Sequence, residues 1–141
     1  NYVKPLTHKT KPSIDVDAKI AVEKAAVSAA TTFYMKQSYN VISVEDENKG
    51  WDLEATKGKA FLRIEVNGLT GSQISVHISK NEYSKMKASD NADYRLCVVT
   101  NALKYPEIWT FSYDSGIWVC EEDNDIELSF EEQIAAIAYV E

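Results

Sequence analysis

The sequence predicts a single α/β domain built on a mixed sheet, with elements in the order α-β-β-β-β-α-β-β-β-α. Three observations carry that prediction. A helical apolar stripe opens the chain, at Val16, Ile20, Val27, Ala30 and Tyr34. Two alternating segments, Trp51–Thr56 and Phe61–Asn67, flank the turn residues Gly58 and Lys59. A nearly all-apolar run, Tyr94–Thr100, reads as an interior strand covered on both faces, the pattern of a parallel pair.

The elements follow in order. Ser13 is a candidate N-cap, and the first helix should run from about Ile14 to Lys36, with Glu23 on its apolar stripe. Tyr39–Glu45 alternates and reads as a strand, ended by the turn Asn48-Lys49-Gly50. The Trp51–Asn67 hairpin comes next, and Ile74–Ile78 reads as a fourth strand. Ser79 and Glu82 have capping-box spacing, so a short helix should follow through Lys87. After Tyr94–Thr100, the segments Glu107–Tyr113 and Ile117–Cys120 add two strands. Ser129 and Glu132 repeat the capping-box spacing and predict a final acidic helix with Ile134, Ile137 and Ala138 inward.

The chain has 141 residues, enough for one domain with its own core. Residues 13–141 are assigned to that domain. Residues 1–12, polar and lysine-bearing, read as a linker, so the chain is expected to be part of a longer protein. No apolar run reaches the ~20 residues of a membrane helix, and no signal-peptide pattern opens the chain, which predicts a cytoplasmic location without membrane contact. Cys97 and Cys120 lack metal-site spacing and read as packed thiols. The net charge of −7 is uneven. Asn1–Gln37 holds six lysines and three acids, whereas Glu121–Glu141 holds eight acids and no base. The acidic end should repel phosphates and marks the side facing away from any nucleic acid.

Chemistry concentrates in the hairpin. Alternation puts Asp52 and Glu54 on one face of the first strand, and Arg63, Glu65 and Asn67 on one face of the second. A two-residue turn at Gly58-Lys59 pairs Lys57 with Ala60. That register sets Glu54 opposite Arg63, an ion pair, and Asp52 opposite Glu65. Two facing carboxylates repel. A divalent cation, a raised pKa or exposure to water would each relieve them.

The strings ENKGWDLEA, FLRIEVNG, ISVHISKNEYSKM and YRLCVVTNAL resemble the NO VEIN C-terminal-like domain, over roughly Ala21–Tyr113. That family is similar to a branch of the PD-(D/E)xK nuclease superfamily and is found attached to ATPases and helicases. The resemblance implies a restriction-endonuclease-like fold and a Mg²⁺ site on Asp52 and Glu65. It also implies an acid on the first helix, matched by Glu23, and a catalytic lysine at the position held here by Asn67. The implied function is a module of a larger DNA-processing or phage-defence protein that acts on nucleic acid, expected to be DNA. Its partner would be an ATPase or helicase domain in the same or another chain. Asparagine carries no positive charge, so phosphodiester hydrolysis should be weakened or lost unless Lys80 or Arg63 substitutes. The alternative is a non-catalytic nucleic-acid or protein interaction module.

Overall fold

The computed structural model describes residues 4–133 and 136–140. Helix α1 (Lys4–Lys36) leads into strands β1 (Asn40–Ser43), β2 (Leu53–Lys57) and β3 (Ala60–Gly68). Helix α2 (Lys80–Lys87) then connects to β4 (Tyr94–Thr100), β5 (Glu107–Asp114) and β6 (Ile117–Cys120). The six strands form one sheet in sequence order. Only β3 and β4 run parallel; every other neighbouring pair is antiparallel. A parallel pair needs a long crossover, and residues 69–93, with α2, supply it. The expected α/β mixed-sheet class is therefore present, with Tyr94–Thr100 inside the sheet. No helix among the described residues is long and apolar enough to cross a membrane.

Alternation along β3 sends Ile64 and Val66 into one core with Val22, Ala26, Ala30 and Tyr34 of α1. Tyr94, Leu96, Val98, Phe111 and Trp118 form the second core with Met86 of α2. Gly68 sits where α1 crosses the sheet. A Cβ there would lie 2.7 Å from the Ala26 Cβ and 2.9 Å from the Val22 carbonyl oxygen. Small residues on both partners thus set the close approach of helix and strand.

Four sequence expectations need correction. The buried stripe of α1 is Val22, Ala26, Ala30 and Tyr34, while Val16 and Ile20 are 52% and 45% exposed. The helix also begins at Lys4, inside the stretch read as a linker, so its early turns precede the part that covers the sheet. Ile74–Ile78 is not a strand. Its alternation is real, since Ile74, Val76 and Ile78 pack on the second core. However, the segment crosses the face of the sheet, where no strand edge is available to pair with it. Period-two burial reports an extended chain lying on a surface, not a hydrogen-bonded ladder. The final helix is also absent among the described residues. Cys120 donates its N–H to the Ile126 carbonyl and Leu128 donates to that of Trp118, so the chain runs along β6. Glu132 accepts from the Tyr83 hydroxyl at 3.1 Å. Ile137, expected inward, is 88% exposed, and Ile134 lies outside the described residues. Beyond Phe130, which stacks on Tyr83, the apolar side chains Ile137, Tyr139 and Val140 are exposed, so a helix there would lack the packing that sustains most helices.

Candidate functional site

Glu65 sits at the middle of β3, on the face opposite α1, and is 4% exposed. Asp52 arrives from the turn before β2. Asn48 and Gly50 take left-handed φ values of 50° and 98°, and the Tyr94 hydroxyl clamps the turn by donating to the Gly50 carbonyl at 2.7 Å.

The register follows the expectation from Lys57↔Ala60 through Glu54↔Arg63 to Leu53↔Ile64. There it changes. Asp52 donates its N–H to the carbonyl of Ile64, the residue already paired with Leu53. Two residues facing one make a bulge, so Asp52 is not a simple ladder partner of Glu65. Its carboxylate instead reaches along β3, where Oδ2 accepts the Val66 N–H at 2.9 Å. The two acid side chains still meet and share one hydrogen bond.

Of the three ways to relieve that contact, burial excludes exposure to water. Burial, then the charges of Asp52 and Glu82, push the Glu65 pKa up to about 11. Burial also raises Asp52, against the lowering effect of the Val66 N–H and of Glu65, with Glu45 and Glu82 adding to the rise. Glu65 therefore keeps its proton at neutral pH and donates it to Asp52. The charges that act most strongly on the pair, those of Glu82 and Glu45, are negative.

Glu82 escaped the sequence reading as a site residue. It closes the expected capping box, its Oε1 accepting the Ser79 N–H at 2.9 Å while its own N–H donates to Ser79 Oγ at 3.1 Å. The same carboxylate meets Glu65. Its capping role was legible from spacing, but its second contact required the packing of α2 on the sheet.

Asn67 shares the face of Glu65. Its Nδ2 is buried and has no hydrogen-bond partner among the described residues. A buried unsatisfied donor costs about 1–3 kcal/mol, so this position lacks an acceptor. Glu23 is exposed on α1, which packs against the other face of β3, so the structure does not bring it to the pair.

The two candidate substitute cations are placed elsewhere. Arg63 is buried, its guanidinium 2.6 Å from Asp93 and donating to the Asp90 carbonyl at 2.7 Å. It also stacks 4.9 Å from the Trp51 ring centroid. The expected Glu54–Arg63 ion pair is thus replaced, because Asp93 is the acid that reaches the guanidinium. Glu54 accepts from Trp51 Nε1 at 3.0 Å and pairs with Lys49 at 3.1 Å. Lys80 is exposed at the start of α2. Cys97 and Cys120 are buried free thiols, as expected.

Among the described residues, no group of three or more His, Cys, Asp or Glu side chains is arranged to hold a metal ion. Asp52 and Glu65 are the two residues that could hold a hard divalent cation, an ion such as Mg²⁺ that takes one or two carboxylates and completes its shell with water.

A family model described as "Protein NO VEIN, C-terminal" matches residues 22–111. The match spans Asp52, Glu65, Asn67, Glu82 and Glu23. No curated protein and no solved structure matches the chain.

Proposed function

The chain belongs to the NO VEIN C-terminal family, and from that premise we propose a PD-(D/E)xK nuclease-like domain whose phosphodiester hydrolysis is weak or lost. On this reading it is a cytoplasmic module of a larger DNA-processing or phage-defence protein. It would act beside an ATPase or helicase domain of the same or a partner chain, with DNA as the nucleic acid. The observation that supports the reading is Glu65: an acid 4% exposed, set against the acids Asp52 and Glu82. Such an arrangement opposes folding, and a site for a divalent ion gives it a purpose.

When bound there, Mg²⁺ would supply charge stabilisation and a polarised water. The chain's own residues do the rest. Asp52 and Glu65 present the oxygens, and the Val66 N–H fixes the orientation of Asp52. The Glu65 proton must leave for both carboxyls to become ligands, so binding should strengthen as pH rises. Asn67 offers a neutral donor where the motif has a cation. It can hold a phosphate oxygen, but it cannot offset charge developing on phosphorus as lysine does. That difference favours binding without turnover, and with it the interaction-module reading.

Calorimetry with Mg²⁺ and Mn²⁺ on the chain, with a nuclease assay on Asn67→Lys beside it, tests the proposal. Weak divalent binding that disappears in Glu65→Gln is expected. Cleavage should be near background in the parent chain and at least about tenfold higher in Asn67→Lys. A chain that binds neither ion loses the metal-site reading and remains an interaction module.

A further inference from the structure

The sheet has two edges, and the chain treats them differently. At the β6 edge, Cys120 donates its N–H to the Ile126 carbonyl at 2.9 Å, Leu128 donates to that of Trp118 at 2.9 Å, and Val119 bridges Glu127. The chain itself closes that edge. Strand β1 pairs only with β2 among the described residues. An open edge is usually blunted by lysine, proline or a bulge. The residues of β1, Asn-Val-Ile-Ser, include no lysine or proline, and the ladder with β2 skips no residue. Ile42 is 53% exposed.

The backbone fixes what this edge offers. Val44 donates its N–H to the Asp52 carbonyl at 2.8 Å. Antiparallel hydrogen bonds alternate along a strand, so Ile42 and Asn40 also turn theirs toward β2. The N–H and C=O groups of Val41 and Ser43 therefore face outward. If the incoming antiparallel strand is another β1, both residues are satisfied when Val41 meets Ser43 and Ser43 meets Val41. That register places a twofold axis at Ile42. The two Ile42 side chains then face each other as a non-hydrogen-bonded pair, where cross-strand side chains come closest.

Charge selects the same partner. At the start of β1, Lys57 lies over the Tyr39 ring at 4.6 Å and donates to the Gln37 carbonyl at 3.0 Å. Lys36 ends α1 just before it. Past the other end come Glu45, Asp46 and Glu47, and Glu45 accepts from the Ser43 hydroxyl at 2.9 Å. Lys49 at that end is held by Glu47 and Glu54. The strand is thus basic at its beginning and acidic at its end. An antiparallel copy sets each basic end beside an acidic one, and the Ile42 register brings Tyr39, with Lys57 on its ring, opposite Glu45 of the second copy. A parallel copy would set like charges together.

We propose that β1 is a self-recognition edge, through which two copies of this chain pair antiparallel about a twofold axis at Ile42 and make one continuous sheet. An axis normal to the sheet keeps corresponding faces on the same side. The two Asp52–Glu65 pairs then lie on one face, five strand spacings or roughly 24 Å apart. The pairing does not rest on the nuclease-like reading and is tested apart from it.

The test is sedimentation equilibrium of the full chain from about 1 μM to 1 mM, with amide exchange in β1 followed by NMR at both ends of that range. The variants are Ile42→Lys, Lys57→Glu, Glu45→Lys and the double K57E/E45K. Unchanged circular dichroism and thermal midpoints at the lowest concentration establish that each is folded. The parent chain should dimerise, and the Val41 and Ser43 amides should then exchange at least about tenfold more slowly. Ile42→Lys sets like charges face to face on the axis and should weaken the dimer at least about tenfold. Each single charge reversal should weaken it about threefold or more, and the double variant should return it to within about twofold of the parent. A parent chain still monomeric at about 1 mM overturns the proposal. So does a dimer that Ile42→Lys leaves intact, or one in which Val41 and Ser43 gain no protection, because the interface is then elsewhere. A double variant no tighter than the single reversals overturns the antiparallel register.

Discussion

Ile64, Val66 and Gly68 meet α1 across one face of β3, while Arg63, Glu65 and Asn67 meet the α2 side across the other. Both faces are buried at the strand's centre, where residues 63–66 are all enclosed. On the α1 side, side-chain chemistry and burial agree: apolar groups interdigitate, and a glycine admits the helix. On the α2 side they conflict. Arg63 is reconciled by Asp93 and two aromatic rings. Glu65 is reconciled only by keeping its proton, and the Asn67 amide nitrogen finds no acceptor. One strand thus carries a face that stabilises the fold and a face that burdens it. Burdens of that kind concentrate where a protein does chemistry.

The largest expected effect breaks the stabilising face. Ile64→Ala removes a fully buried side chain between α1 and the sheet. It should lower unfolding free energy by about 2–5 kcal/mol, read from urea denaturation with an unchanged m-value. A loss below about 1 kcal/mol would mean that this core is not what holds the fold.

The neighbouring residue should act with the opposite sign. The folded pKa of Glu65 is raised from 4.5 to about 11, so the folded state binds the extra proton between those values. Stability is then greatest below the unfolded pKa and falls as pH rises through this window. Glu65→Gln removes that dependence. It should match the parent chain near pH 4 and exceed it by roughly 1–3 kcal/mol near pH 8, measured by denaturation at both pH values. A variant less stable than the parent at pH 8 would show that the acid is not a burden.

The smallest effect sharpens the comparison at the rim. Hydrogen bonding from Trp51 Nε1 and Lys49 holds the Glu54 pKa below its ordinary value of 4.5. Its contribution is present above the unfolded pKa and lost as pH falls through the folded one. Glu54→Gln should therefore cost about 1 kcal/mol near pH 7, with the difference closing below pH ~4. A difference that persists in acid would assign the cost to packing of Trp51 instead.

Much of this was legible in the sequence, and for local reasons. Alternation and the Gly58-Lys59 turn fixed which residues of β2 and β3 share a face and which pair, from Lys57↔Ala60 to Leu53↔Ile64. Ser79 and Glu82 announced α2, and the apolar Tyr94–Thr100 run announced an interior strand. The same local logic misread Ile74–Ile78, because an extended segment lying on a core has the periodicity of a strand without its partner. It also placed Glu23 with the acid pair, although α1 packs its neighbours Val22 and Ala26 on the opposite face.

Pattern along the chain by itself determined the hairpin, its register and the side of the strand on which the acids stand, since those depend on backbone period and turn chemistry. Only the tertiary structure decided that Glu65 is buried and protonated, that Asp52 bulges to reach the Val66 N–H, that Glu82 joins them, and that Arg63 is claimed by Asp93. Each of those outcomes depends on what packs across the sheet from residues distant in sequence, because a carboxyl's charge state is set by its surroundings in space.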